Sequence, residues 1–220
     1  MKGGSEAVPV SVRKALDQIA RQGIFREFYL AGGTGLALLQ AHRRSVDLDF
    51  FSRVNRLDAD GRRTLFSALQ RLPGWRMSEV KQGTVHGTIG RVKVSFFWYP
   101  QRMVKPILRK GPIRLASRED IGLMKIGAII GRGSRKDFVD LYEICRQIPL
   151  SRLLAFGPRK FSDSRDFTLQ ALKALCFFED AEKEPPVMAV KPFSWDRVKE
   201  FFVREVKVLS RRYLMGGGNR

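Results

Sequence analysis

The stretch Leu30-Ala31-Gly32-Gly33-Thr34, followed after twelve residues by Asp47-Leu48-Asp49-Phe50-Phe51, decides how the whole chain is read. Asp47 and Asp49 stand one residue apart in a short apolar run from Val46 to Phe51. Side chains alternate across a strand, so the two carboxylates share one face while Leu48 and Phe50 turn into a core. Two adjacent carboxylates repel each other unless a cation lies between them. Mg²⁺ takes carboxylate oxygens and keeps coordination open for substrate phosphates. The glycine pair upstream lets backbone approach a phosphate closely at a helix start. The residues alone therefore predict a metal-dependent site for a nucleoside triphosphate, with Mg²⁺ (or Mn²⁺) on Asp47 and Asp49.

Phe28-Tyr29-Leu30 reads as a strand, Gly32-Gly33 as a turn, and Thr34 as the N-cap of a helix reaching about Ala41. His42-Arg43-Arg44-Ser45 connects that helix to the strand carrying the two aspartates. With these parts in this order, Leu30-Ala31-Gly32-Gly33-Thr34, His42-Arg43 and Ser45-Val46-Asp47-Leu48-Asp49-Phe50-Phe51 resemble the AbiEii/AbiGii-type nucleotidyltransferase toxins of the polymerase-β-like superfamily. Lys125-Ile126-Gly127-Ala128 through Arg135-Lys136-Asp137-Phe138-Val139-Asp140-Leu141 resembles that family's second signature. The resemblance runs from about residue 28 to 145. It implies transfer of a nucleotide from an NTP to an acceptor, with RNA, and tRNA in particular, as the expected acceptor. It also implies a toxin paired with a cognate antitoxin protein.

On this resemblance Asp47, Asp49, Lys125, Asp137 and Asp140 are the candidate catalytic residues. Gly32, Gly33, Thr34, Arg43 and Ser45 are the candidate nucleotide-binding ones. Gly33 and Thr34 would hold the triphosphate through backbone N–H groups and a hydroxyl. Arg43 and Ser45 read either as phosphate contacts and supports for the aspartates or as a surface cation and a loop cap. Lys125 reads as a triphosphate ligand against the plainer alternative of an exposed lysine. Asp137 reads as functional, although Ser134-x-x-Asp137 also fits a capping box. One departure stands out. Polymerase-β-type enzymes carry a third carboxylate on a later strand, and Ser95 in Val92-Lys93-Val94-Ser95-Phe96-Phe97 occupies the expected place. His42 and His86 read as structural histidines rather than bases.

The net charge of +19, from 41 Lys and Arg against 22 Asp and Glu, attracts polyanions. No acidic residue occurs between Val80 and Arg118. Arg102, Lys105, Arg109, Lys110 and Arg114 in that span are the candidate nucleic-acid contacts. The absence of any run of about 18 apolar residues argues against a membrane span, and the N-terminus lacks the apolar stretch of a signal peptide. Cys145 and Cys176 show no metal-ligand spacing and are expected as buried free thiols in a reducing cytoplasm.

The fold expectation is α+β: a polymerase-β-like core of mixed sheet with flanking helices over 1–115, then an all-helical lobe over 116–220. Helices are expected at Val10 to Ile24, Leu57 to Leu72, Ser117 to Ile130, Ser134 onward, Phe167 to Phe178 and Trp195 to Leu214. Strands are expected at Trp75 to Val80, Thr84 to Ile89 and Arg91 to Tyr99. Pro106 and Pro112 bound a basic connection, Glu179 to Pro192 reads as a loop, and Gly216 to Arg220 as a disordered tail. Two other function classes fit the same residues. One is a non-catalytic RNA-binding protein on a decayed nucleotidyltransferase fold. The other is a kinase or protein-modifying enzyme using the same metal site.

Overall fold

The computed structural model describes residues 4–164, 166–190 and 192–216, and the chain forms two compact units, Met1–Ser117 and Arg118–Arg220. The first unit runs α1 (Gly4–Ala7), α2 (Val10–Arg21), a 3₁₀ turn (Ile24–Arg26), β1 (Tyr29–Leu30), α3 (Gly32–Gln40), β2 (Leu48–Ser52), α4 (Ala59–Leu69), β3 (Trp75–Lys81), β4 (Thr84–Ile89), β5 (Val92–Trp98), β6 (Leu108–Lys110) and β7 (Ile113–Leu115). Its strands form one mixed sheet in the order β3-β4-β5-β2-β1-β7-β6. β2 pairs with β5 in parallel and β1 with β7 in parallel; the other pairs are antiparallel.

The alternation expected for the Asp-x-Asp strand is present. Leu48, Phe50 and Ser52 are buried, while Asp49 and Phe51 on the opposite face are half-exposed. The buried face is an aromatic cluster. Phe50 stacks on Phe96 at 5.1 Å, and Phe25 and Phe28 meet them edge-on at 5.4 and 5.3 Å. Such pairs contribute beyond the area they bury. α2 covers this face with Val12, Leu16 and Ile19, residues at helical spacing. α4 begins at Asp58, whose carboxylate accepts from Gly61 N at 3.0 Å.

The second unit is helical: α5 (Arg118–Arg132), α6 (Arg135–Cys145), α7 (Leu150–Lys160), α8 (Phe167–Ala174), α9 (Glu179–Lys183) and α10 (Trp195–Gly216). Phe138 is its aromatic centre, with Phe178, Trp195 and Phe202 at 5.1, 6.0 and 5.6 Å. Lys160 and Asp120, both fully buried, neutralise each other at 2.8 Å.

Several local expectations are corrected. The basic connection after Pro106 contains a hairpin, β6–β7, that turns at Gly111 with φ +58°. Its strands have three residues each, too short for alternation to show. α7 escapes the sequence reading because Pro158 lies inside it. Part of the expected loop after Phe178 is α9, held to α6 by Arg135, which donates to the Ala181 carbonyl at 2.8 Å. The first long helix stops at Arg21, because Gly23 takes φ +71° and starts the 3₁₀ turn. The expected helix through Phe178 ends at Ala174, so Cys176 lies past its end and is exposed, against the expected burial. Cys145 is largely covered on α6, and burial, with the charge of Glu205, pushes its thiol upward. Gly216 closes α10, and the rest of the expected tail, 217–220, lies outside the described residues. Among the described residues no helix is long and apolar enough to cross a membrane.

The core assignment has a direct consequence. Phe96→Ala removes a ring that is 0% exposed and touches three other aromatic rings. Urea denaturation is expected to show a loss of about 3–5 kcal/mol.

Candidate functional site

α3 starts directly after β1, and its first turn carries both glycines. Ala31, not Thr34, occupies the N-cap position, so the helix begins three residues earlier than the spacing suggests. Gly32 has φ +62°, a conformation that favours glycine. A Cβ there would stand 2.8 Å from Asp49 Oδ2, so the helix start lies directly against that carboxylate. Ala31 N also donates to the Asp49 carbonyl at 3.1 Å. The first N–H groups of a helix have no partner within it, and together with the helix dipole they favour an anion. The glycine pair thus places the N-terminal end of a helix beside the Asp-x-Asp strand.

Thr34 is fully buried and its hydroxyl is engaged inside the protein. It hydrogen-bonds with Ser45 Oγ at 2.8 Å and with the Asp47 carbonyl. Its side chain is therefore a strut that holds the backbone at Asp47, and the reading of Thr34 as helix cap is corrected. Ser45 belongs to the same strut, and its N–H donates to the Ala7 carbonyl at 2.9 Å. Arg43 is buried, not a surface cation. A Cβ on Gly33 would fall within contact of the Arg43 guanidinium and 2.9 Å from Ser45 Oγ. Gly33 is thus the residue that lets a buried cation approach the start of α3.

Asp47 and Asp49 are both half-exposed. Among the described residues no group of three or more His, Cys, Asp and Glu could enclose a metal ion. Two carboxylates without a cage fit Mg²⁺, which takes one or two carboxylates and fills the rest of its shell with water and substrate phosphate.

The strand after the hairpin places Ser95 directly opposite Asp49 in the parallel β2–β5 register. One strand further, His86 is the register partner of Ser95, and its Nδ1 lies 3.0 Å from Ser95 Oγ. Beyond that, Glu79 is the register partner of His86. The sequence alone reads His86 as a structural histidine, because only strand pairing brings it to this row. Alternation within β4 was the one available signal, and it assigns a face without assigning a neighbour.

In the helical unit Lys125, Asp137 and Asp140 come together. The Lys125 Nζ lies 2.8 Å from Asp137 Oδ1 and 2.6 Å from Asp140 Oδ2, and both carboxylates are fully buried. Arg132 Nε lies 3.0 Å from Asp137 Oδ2. Burial works to raise the Asp137 pKa, but the charges and hydrogen bonds of Lys125 and Arg132 outweigh it and hold the carboxyl below its usual range. The capping-box alternative is not what the structure contains. Ser134 precedes α6 without a side-chain cap, and its hydroxyl donates to Glu184 at 2.8 Å.

The candidate nucleic-acid residues divide. Arg102, Arg109 and Lys110 are exposed and Lys105 is half-exposed. Arg114 is a tether: its Nη1 donates to the carbonyls of Phe25 and Arg26 at 3.0 and 2.7 Å. Desolvation, followed by the facing charge of Arg109, lowers its pKa.

A profile of the AbiEii family, described as nucleotidyl transferase AbiEii toxin of a type IV toxin–antitoxin system, matches residues 14–206. The chain is 34% identical over 200 residues to uncharacterized protein aq_aa25 of Aquifex aeolicus (strain VF5), covering 89% of this chain and 94% of that one. Its fold is similar to that of MenT4, a nucleotidyltransferase toxin of Mycobacterium tuberculosis H37Rv, with a TM-score of 0.55 at 12% identity over 92% of this chain and 85% of the other. It is also similar to ANT(2")-Ia in complex with adenylyl-2"-tobramycin, with a TM-score of 0.53 at 15% identity over 70% and 99% of the two chains.

The buried Lys125 cluster predicts a stability effect with a defined pH dependence. Because the folded-state pKa of Asp137 is depressed, its contribution is complete above the unfolded value of about 3.9 and is lost as pH falls through the folded one. Asp137→Asn should cost about 3–5 kcal/mol near pH 7. The gap to the wild type should narrow below about pH 4, as read by denaturant unfolding across pH.

Proposed function

The chain belongs to the AbiEii nucleotidyl transferase toxin family and is a nucleotidyltransferase, and from that premise we propose that it transfers a nucleotide from an NTP to an RNA hydroxyl, tRNA being the favoured acceptor. The observation that carries this reading is the contact between the start of α3 and Asp49, an anion-binding helix end set against a half-exposed carboxylate pair. Asp47 and Asp49 would hold Mg²⁺ or Mn²⁺, which when bound neutralises phosphate oxygens and aligns them for displacement.

The first N–H groups of α3, at Gly32, Gly33 and Thr34, receive the phosphates. Arg43 supplies positive charge behind Gly33, while Thr34 and Ser45 hold the Asp47 backbone in place. In the helical unit, Asp137 and Asp140 orient the Lys125 ammonium. An ammonium has three N–H donors, and these two carboxylates hold Lys125 as a fixed cation within the helical unit. The reaction is a displacement: the acceptor hydroxyl attacks the α-phosphorus and pyrophosphate leaves. The net charge of +19 and the exposed Arg102, Arg109 and Lys110 favour a polyanionic acceptor. A cognate antitoxin and residence in the cytoplasm complete the proposal, following from membership of a toxin family.

The test is incubation with each α-labelled NTP, total tRNA and Mg²⁺. Product mass reads the outcome: added NMP supports the proposal, added phosphate indicates a kinase, and no addition with retained RNA affinity indicates a binding protein. Asp47→Asn and Asp49→Asn should each abolish incorporation while leaving the fold intact by circular dichroism. Unchanged incorporation in both would remove the assignment of the site.

RNA affinity should fall steeply with salt. Reversing Arg102, Arg109 and Lys110 to Glu should reduce the slope of log K against log salt by about 2, with little change in NTP affinity. A slope that does not change would place the RNA contacts elsewhere.

A further inference from the structure

Four neighbouring strands bring Glu79, His86, Ser95 and Asp49 into one row by register. Direct register partners share a face, and adjacent strands lie about 4.8 Å apart. Ser95 therefore flanks Asp49 at one strand spacing, and His86 stands one spacing further out. The row lies on the face of the sheet that carries Asp49, opposite the buried Phe50–Phe96 stack. Within it, His86 Nδ1 is 3.0 Å from Ser95 Oγ. The imidazole ring meets Phe97 edge-on at 5.7 Å, which limits its rotation. On the outer side Glu79 is ion-paired to Lys81 at 2.7 Å. The Lys81 hydrogen bond, aided by the charges of Lys81 and His86, outweighs desolvation and keeps the Glu79 carboxyl below its usual range.

We infer that the Ser95–His86 pair replaces the missing third carboxylate as the proton acceptor for the attacking hydroxyl. The inference rests on the nucleotidyl-transfer reading of the same site. As the acceptor oxygen forms its bond to the α-phosphorus, the bond from that phosphorus to the pyrophosphate oxygen breaks and pyrophosphate departs. The acceptor's proton passes to Ser95 Oγ, and the proton already on Ser95 passes to His86 Nδ1. The products are the nucleotidylated acceptor, pyrophosphate and an imidazolium. Ser95 is then a catalytic residue. His86 acts through it, positioning the hydroxyl and holding the proton.

A hydroxyl alone is too weak a base for this step near neutral pH, whereas the free ring nitrogen of a neutral imidazole accepts a proton readily. The charged groups on the same face by register are Glu79, Lys81 and Arg76 on β3, Lys93 on β5, and Asp49 on β2.

The relay demands one tautomer. In the free protein the neutral His86 must carry its proton on Nε2, so that Nδ1 accepts from Ser95. Nitrogen-15 NMR of the wild-type protein reads this directly, with Ser95→Ala expected to shift the Nδ1 signal. A proton on Nδ1, donated to Ser95, would overturn the relay. In the labelled-NTP and total-tRNA assay, His86→Gln should lower kcat about 100-fold with KM for the NTP within about twofold. Incorporation unchanged in His86→Gln overturns the relay alone. Absence of incorporation by the wild-type protein overturns the transfer reading and the relay with it.

Discussion

The stack of Phe50 on Phe96 is the contact from which the site follows. Both rings are fully buried and sit 5.1 Å apart, as direct partners in the parallel β2–β5 pair. A one-residue slip of β2 would turn Phe50 into solvent and Asp49 into the core. Burying the aromatic face therefore sets the register, and the register sets what stands beside Asp49. The row Glu79, His86, Ser95 and Asp49 is a consequence of that packing, as is the position of Asp47 just ahead of the strand.

The loop between α3 and β2 shows how a binding surface is held rigid. Thr34 and Ser45 use their hydroxyls on each other and on the Asp47 backbone, and Ser45 is tied to α1 through Ala7. The two buried hydroxyls, Thr34 and Ser45, thus find partners inside the protein, as most buried polar groups do. The glycines remain as the positions where side chains are excluded: one against Asp49, one against Arg43. In the helical unit the same economy of charge applies. Lys125 enters an apolar interior with two carboxylates around it, and Lys160 does so with Asp120. An unpaired ammonium at either place would lose its proton or unfold its surroundings.

The aspartate pair, the glycine pair, their order and the second signature are all legible in the residues, because each depends on local geometry: period-2 alternation, a turn and a helix start. The β4–β5 hairpin is legible for the same reason. β6 and β7 are not, since strands of three residues are too short to carry a pattern. α7 is hidden by Pro158, whose cost is outweighed by burying Leu150, Leu153 and Leu154. α9 is too short to form alone and depends on the Arg135 contact with Ala181.

The sequence by itself determined the α+β order of elements, the carboxylate strand beside a glycine-rich helix start, and the family to which the chain belongs. The tertiary structure decided the roles of individual polar side chains. It made Thr34 a strut instead of a cap, Arg114 a tether instead of a free cation, and Lys125 a buried partner of two aspartates; it also joined His86 to Ser95. Those outcomes turn on which donor meets which acceptor across strands and helices far apart in the chain. Local periodicity fixes the face on which a side chain lies, whereas its partner is fixed only when the hydrophobic core closes and sets the register.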